Sequence, residues 1–288
     1  MIKLIASDMD GTLINSSHEI SSRNLNAIRR AQESGIEFAI ATGRDYSMVK
    51  PFLDKYQLKC EAIVMNGAEY RDCKGEVIES IGIEKDKVKD IIVEILKESS
   101  IVDIYTSEGI FTTKYSKEDF ESTVNRIKEF NKEMTKDNII KLLTEIREKM
   151  IEFDIEDIDK IISSEMVFYK IITSHKDKET IRDLKEKINK IGGLAVASTS
   201  EYDIEVNDIQ AQKGLILAKV AKMKGIEKDE VMVLGDSFND YSMFTEFTET
   251  VAMENAVPEI KAIAKYITDT NDNCGVAKAI FKVIENQK

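Results

Sequence analysis

Over residues 1–82 the chain alternates short apolar runs with segments whose apolar positions recur at helical spacing. "IKLIAS", "IEFAIAT" and "AIVMNG" carry no polar alternation, the pattern of strands covered on both faces. "SSRNLNAIRRAQESG" sets Leu25, Ile28 and Ala31 on one helical face and stops at Gly35. "SMVKPFLDKYQL" predicts a second helix, with Pro51 either near its start or kinking it. Residues 209–288 resume the rhythm. "KGLILAKVAKMKG", "YSMFTEF", "VPEIKAIAK" and "GVAKAIFKVIEN" predict helices, and "VMVLGDS", "TVAM" and "YIT" predict strands. Such alternation argues for βαβ units on a parallel sheet.

Residues 83–208 follow a different rule. Lys/Glu-rich helical segments such as "KDKVKDIIVEILKESS" and "KEDFESTVNRIKEFNKE" separate strands with polar alternation: "VDIYTSE", "IFTTKY", "MVFYKIITS", "LAVASTS" and "YDIEVN". A half-exposed antiparallel sheet with helices on one face reads this way. The prediction is one α/β domain, residues 1–82 and 209–288, interrupted by an inserted α+β domain, residues 83–208.

Composition narrows the possible functions. A length of 288 residues suits two domains, and 42% hydrophobic with 33% charged residues allows a core in a water-facing chain. The formal charge of −12 argues against general affinity for nucleic acid or an anionic membrane. No stretch approaches the roughly 18 apolar residues of a membrane span. The apolar run in "MIKLIASDMD" is too short for a signal peptide. Three cysteines, Cys60, Cys73 and Cys274, lie far apart and form no CxxC, which predicts reduced thiols in the cytoplasm. The expected state is a monomer or weak homodimer.

In open parallel sheets, ligands bind beyond the carboxyl ends of strands. Those ends carry a short list of residues. The first strand runs into Asp8-Met9-Asp10-Gly11-Thr12, the second into Thr42-Gly43-Arg44, and "VMVL" into "GDSFND" with Asp236, Asn239 and Asp240. The helix after the inserted domain opens at Lys213. If strand geometry persisted, Asp8 and Asp10 would converge on one side and require a proton or a cation between them. DxD alone is weak, for Asp157-Ile158-Asp159 recurs within "FDIEDIDKII", a predicted solvated helix face. Taken singly, Thr42 reads as a helix N-cap, Lys213 as a solvated charge, and Arg44 as half of a surface ion pair. His18 and His175 read as surface residues. As a set, however, the acids, hydroxyl, amide and lysine suit phosphoryl transfer. A carboxylate attacks phosphorus, a second moves the proton, and cations offset the charge. Oxygen donors without clustered His or Cys favour Mg²⁺ over zinc.

"DMDGTL", "ATGR", "QKG" and "GDSFNDYSM", in this order, resemble the four motifs of the haloacid-dehalogenase (HAD) superfamily. "VMNGAEYRDCKGEVI" and "VAMENAVPEIKAIAKYITDTNDNCGVAKAI" are similar to its class IIB, Cof-type phosphatases. The resemblance implies a Rossmann-like core with an inserted cap, Mg²⁺, and a small phosphate ester hydrolysed through an aspartyl-phosphate. Asp8 matches the nucleophile, and Asp10 the general acid and base. The metal set would be Asp8, the Asp10 carbonyl and Asp236. Met9, Thr42, Gly43, Lys213 and Asn239 match phosphate contacts, and Asp240 a supporting acid. Sugar phosphates are the expected substrates.

Two other functions share these residue types. A phosphomutase of the phosphomannomutase kind needs a second phosphate site, and the insert offers only Arg126, Arg147 and Arg182, widely spaced. A phosphate-accepting signalling module is much shorter and lacks the insert. Within the insert, Tyr169 and Lys170 read as sheet and surface residues rather than substrate contacts.

Overall fold

A computed structural model describes residues 1–99, 101–114, 116–130, 134–198 and 200–286. Asn131, Lys132 and Glu133, at the end of the predicted helix "KEDFESTVNRIKEFNKE", lie outside the described residues, as does the side chain of Arg126. The chain divides into two compact units, Met1–Ile81 with Gln210–Lys288, and Gly82–Ile209.

In chain order the first unit begins with β1 (Leu4–Ser7), α1 (Ser22–Glu33), β2 (Glu37–Ala41), α2 (Tyr46–Tyr56), β3 (Glu61–Val64), β4 (Glu69–Arg71) and β5 (Val77–Ser80). The second unit comprises α3 (Lys85–Leu96), β6 (Asp103–Thr106), β7 (Gly109–Thr113), α4 (Lys117–Phe130), α5 (Lys136–Arg147), β8 (Ile151–Phe153), α6 (Ile158–Ser163), β9 (Phe168–Ser174), α7 (Lys178–Asn189), β10 (Leu194–Ala197) and β11 (Asp203–Asp208). The first unit then resumes with α8 (Lys213–Met223), β12 (Val231–Gly235), α9 (Tyr241–Glu246), β13 (Glu249–Ala252), α10 (Pro258–Ile263), β14 (Tyr266–Ile267) and α11 (Gly275–Asn286).

Among the described residues, the first unit's sheet has eight strands in the order β14-β13-β12-β1-β2-β3-β4-β5. The strands from β14 to β3 run parallel, and β4 and β5 form an antiparallel margin. Leu4, Ile5 and Ala6 of β1 are fully buried, and the buried polar residue at its end, Ser7, donates its hydroxyl to the Asp8 carbonyl at 2.8 Å. Each fully buried Leu or Ile contributes about 1.5–3 kcal/mol. β1 lies between β2 and β12, so successive connections leave it in opposite directions. Where strand order reverses like this, the carboxyl ends open a crevice.

The second unit's sheet has the order β10-β11-β9-β6-β7-β8 among the described residues. α3 and α7 press Val88, Ile91, Leu184 and Ile188 onto the face that carries Ile104, Ile171 and Val206. Its pairings are antiparallel except one, for β7 and β8 run parallel. β8 forms at the edge of the segment expected to be helical, where Phe153 is buried. Asp157 and Asp159 lie exposed on the short helices that follow. One expectation fails: Tyr169 and Lys170 are sheet residues but not surface residues, with Lys170 only 2% exposed. β9 is a central strand, and its neighbours supply what a buried lysine needs. Lys170 Nζ lies 3.5 Å from Glu205 Oε1 on β11 and 4.7 Å from the Tyr105 ring centre on β6.

Candidate active site

Asp8 is the first residue beyond β1, and its backbone N–H still donates to the Leu234 carbonyl of β12 at 3.0 Å. Its side chain is therefore delivered by the sheet itself and is nearly fully buried. Lys213, the first residue of α8, is completely buried beside it. Lys213 Nζ donates to Asp8 Oδ1 and to Asp240 Oδ1, each at 2.7 Å. The following glycine permits this depth, because a Cβ on Gly214 would lie 2.1 Å from the Ser242 carbonyl oxygen. α8 and α9 meet too closely there for any side chain.

The spacing in "GDSFND" is equally local in origin. The chain turns through a short 3₁₀ segment, and Asp240 Oδ2 accepts from the backbone N–H of Asp236 at 2.9 Å and of Ser237 at 3.1 Å. Asp240 thus braces the loop that presents Asp236 while gripping Lys213 with its other oxygen. Asp236 Oδ1 accepts from Thr12 Oγ1 at 2.7 Å. Lys213 bonds two of the three acids, and the crowding shows in Asp8 and Asp236. Burial, helped by Asp240, Asp236 and Asp10 and opposed by Lys213, raises Asp8 well above the usual carboxylate range. Burial and Asp240 push Asp236 up to about 7, against the Thr12 hydroxyl. Burial disfavours the Lys213 charge, but Asp240 and Asp8 outweigh it and hold the ammonium above its ordinary value.

Asp10 does not converge on Asp8. Strand geometry ends at Ser7, and Asp10 turns outward to Arg44 at the end of the β2 loop. Arg44 Nε donates to Asp10 Oδ2 at 2.7 Å, and Nη2 to Oδ1 at 2.6 Å. The two aspartates that end the first strand therefore have a separate protein cation each.

The family is established by comparison with known proteins. A family of haloacid dehalogenase-like hydrolases matches residues 5–280. The chain belongs to this family. Phosphatase YwpJ of Bacillus subtilis is 32% identical over 279 residues, spanning 96% of this chain and 98% of that protein. The 5-amino-6-(5-phospho-D-ribitylamino)uracil phosphatase YcsE of the same species is 34% identical over 281 residues, covering 97% of this chain and 94% of that one. A solved haloacid dehalogenase-like hydrolase from B. subtilis superposes with a TM-score of 0.85 at 31% identity, over 97% of this chain and 99% of the other. This is a HAD-type phosphatase with a Rossmann-like core and an inserted α+β domain.

Within this HAD chain, Asp8, Lys213, Asp236 and Asp240 come together as one cluster. Thr42 is buried, and its hydroxyl accepts from the Arg44 backbone N–H at 3.2 Å. It is not a helix N-cap, for Asp45 caps α2 through the Ser47 N–H. Gly43 and Asn239 are half-buried beyond the ends of β2 and β12, the strands on either side of β1, and Asn239 Nδ2 donates to Asn66 Oδ1 at 3.3 Å. The Met9 side chain is buried in the core, which leaves only its backbone for a ligand. His18 is exposed and His175 half-exposed. The sequence reading assigns no role to Thr12 or Asn66, and it reads Arg44 as half of an ion pair without placing Asp10 opposite it. Thr12 lay in plain view inside "DMDGTL", but its partner is 224 positions away.

The donor set fits a hard cation. Asp8, Asp236 and Asp240 can each bring one carboxylate oxygen within 4.8 Å of the others. Both Asp240 oxygens already accept hydrogen bonds, so Asp8 and Asp236 are the acids suited to hold the ion. Burial and the neighbouring acids raise the proton affinity of both, a repulsion that a bound cation would relieve. All-oxygen ligands favour Mg²⁺.

Proposed function

We propose that this phosphatase hydrolyses small phosphorylated metabolites, sugar phosphates above all, in a Mg²⁺-dependent reaction through an aspartyl-phosphate on Asp8. The observation that carries the reading is the buried Lys213 ammonium held 2.7 Å from the strand-end Asp8. A fixed cation beside a carboxylate at a sheet switch point is suited to a trianionic transition state. Asp8 and Asp236, with the Asp10 carbonyl, would hold Mg²⁺, which when bound supplies positive charge to the phosphoryl oxygens. An Asp8 carboxylate oxygen bonds phosphorus as the bond to the leaving oxygen breaks, and Asp10 gives that oxygen a proton. Asp10, now a carboxylate, takes a proton from water. The water oxygen bonds phosphorus, and the Asp8–phosphorus bond breaks to release phosphate. Lys213, the Met9 backbone, Thr42, Gly43 and Asn239 would hold the phosphoryl group, and Asp240 keeps Lys213 in place. The phosphoribityl compound named for YcsE supports a polyol- or sugar-like leaving group here. Three unpaired cysteines support a cytoplasmic location. Among the described residues no helix is long and apolar enough to cross a membrane.

A phosphomutase is disfavoured. Arg147 pairs with Glu152 at 2.7 Å, and Arg182 pairs with Glu179 on its own helix. A panel of phosphate esters ranked by kcat/KM tests the proposal, together with acid-quenched phosphoprotein in the wild type and Asp8→Asn. Turnover on several sugar phosphates with label lost in Asp8→Asn is expected. Label retained by Asp8→Asn would reject the nucleophile, and exclusive activity on non-sugar esters would reject the substrate class.

A further inference from the structure

Asp10 is held by both of its oxygens, and Arg44 is the anchored member of that pair. The Arg44 side chain is 16% exposed and that of Asp10 54%. The guanidinium lies 5.2 Å from the Phe52 ring centre. The Arg44 backbone is tied at both ends, its N–H donating to Thr42 Oγ1 at 3.2 Å and its carbonyl accepting from the Met65 N–H at 2.8 Å. Asp10, by contrast, stands on a turn whose next two residues both touch Asp236. A Cβ on Gly11, which has φ of +76°, would lie 2.4 Å from Asp236 Oδ2, and Thr12 Oγ1 donates to Oδ1 of the same acid at 2.7 Å. Asp10 is thus the residue before two that meet Asp236, and its charge acts on both Asp8 and Asp236.

A carboxylate that ligates a cation adds its charge to the site and tightens it. A guanidinium fork matches both carboxylate oxygens at once, which a single ammonium does not. We propose that Arg44 is a positioning residue that holds the Asp10 carboxylate away from the Asp8–Asp236 cation site, so that it does not become a third carboxylate ligand there. This rests on the metal-dependent reading given above.

The test is Mn²⁺ binding to the full chain, followed by the electron paramagnetic resonance of free Mn²⁺, for wild type, Arg44→Met, Asp10→Asn and the double variant. Freed from its fork, Asp10 turns to the ion. Arg44→Met should then bind Mn²⁺ roughly tenfold tighter while turnover falls, since affinity rises with the number of charged ligands. In the double variant, affinity should return to that of Asp10→Asn within about twofold, the double-mutant cycle assigning the gain to Asp10. Damage to the fold does not tighten a metal site. Unchanged or weaker binding in Arg44→Met overturns the proposal. So does a gain that survives in the double variant, which would be the loss of a nearby positive charge acting through space. Wild-type protein that binds no Mn²⁺ at millimolar concentration would overturn the metal-dependent function as well, whereas the other two failures leave it standing.

Discussion

Replacing Asp240 by asparagine changes one atom and removes an acceptor that the cluster cannot spare. Asp240 uses both oxygens as acceptors, one for Lys213 at 2.7 Å and one for the backbone N–H groups of Asp236 and Ser237. An amide has a single acceptor oxygen, so in either orientation its NH₂ faces a donor. Lys213 and Asp240 are both 0% exposed, and no water can make up the loss. Removing one partner of a buried ion pair costs about 3–5 kcal/mol. Two features of this site push the cost toward the lower figure. Asp8 remains on Lys213 at 2.7 Å, and the change relieves the repulsion that Asp240 exerts on Asp8 and Asp236. The expected loss is about 3 kcal/mol. Asp54→Asn is the internal control, because its pair with Lys50 is exposed and spans one helical turn; such pairs contribute little to stability. Urea unfolding by circular dichroism in EDTA measures both, and hydrogen exchange of peptides from α8 and β12 locates the change. Turnover should fall at least tenfold as Lys213 loses its brace, a fraction of the usual effect of losing one charge-stabilising group. A destabilisation indistinguishable from that of Asp54→Asn would refute the view that Asp240 holds Lys213 against Asp8.

Asp10→Asn should give an initial burst of product from an activated aryl phosphate and then slow turnover, because the leaving group needs little acid but hydrolysis still needs a base; equal loss of burst and steady state in a rapid-quench experiment would contradict that division. EDTA should abolish turnover and Mg²⁺ restore it, whereas Ca²⁺ should compete without supporting comparable rates owing to its looser coordination; full activity in metal-free protein would reject the carboxylate–cation site. In EDTA, thermal stability should fall as pH rises from 5.5 to 8. Asp236 titrates at about 7 in the fold against an ordinary 3.8, so the stability from its protonation is fully present below 3.8 and is lost as pH rises through about 7. Asp236→Asn should flatten that slope in a calorimetric pH series, and an unaltered slope would show that the burial of Asp236 is not its source.

The order of strands and helices in both units was legible because it is written at short range. Apolar runs without alternation mark β1, β2, β3 and β12, and the polar alternation of β6, β9 and β11 marks the second sheet. The turn chemistry at β1, with Gly11 directly after Asp10, is also local, as is the fold-back of Asp240 onto the loop of Asp236. Which side chains meet is not local. Lys213 follows a solvated-looking sequence, yet it is completely buried because α8 enters beside β1, 205 positions from Asp8. Phe153 was misread for a related reason, since three residues of edge strand carry too little periodicity to outweigh the helical pattern beyond them. Lys170 looked like a surface residue because the carboxylate that accommodates it arrives on β11, a strand whose place beside β9 no window of sequence contains. The sequence by itself determined which residues stand at strand ends and with what chemistry. Only the tertiary structure, by ordering β12, β1 and β2 side by side, decided that Asp8 takes Lys213, Asp10 takes Arg44 and Asp236 takes Thr12. Burial and charge pairing depend on neighbours that are far apart along the chain.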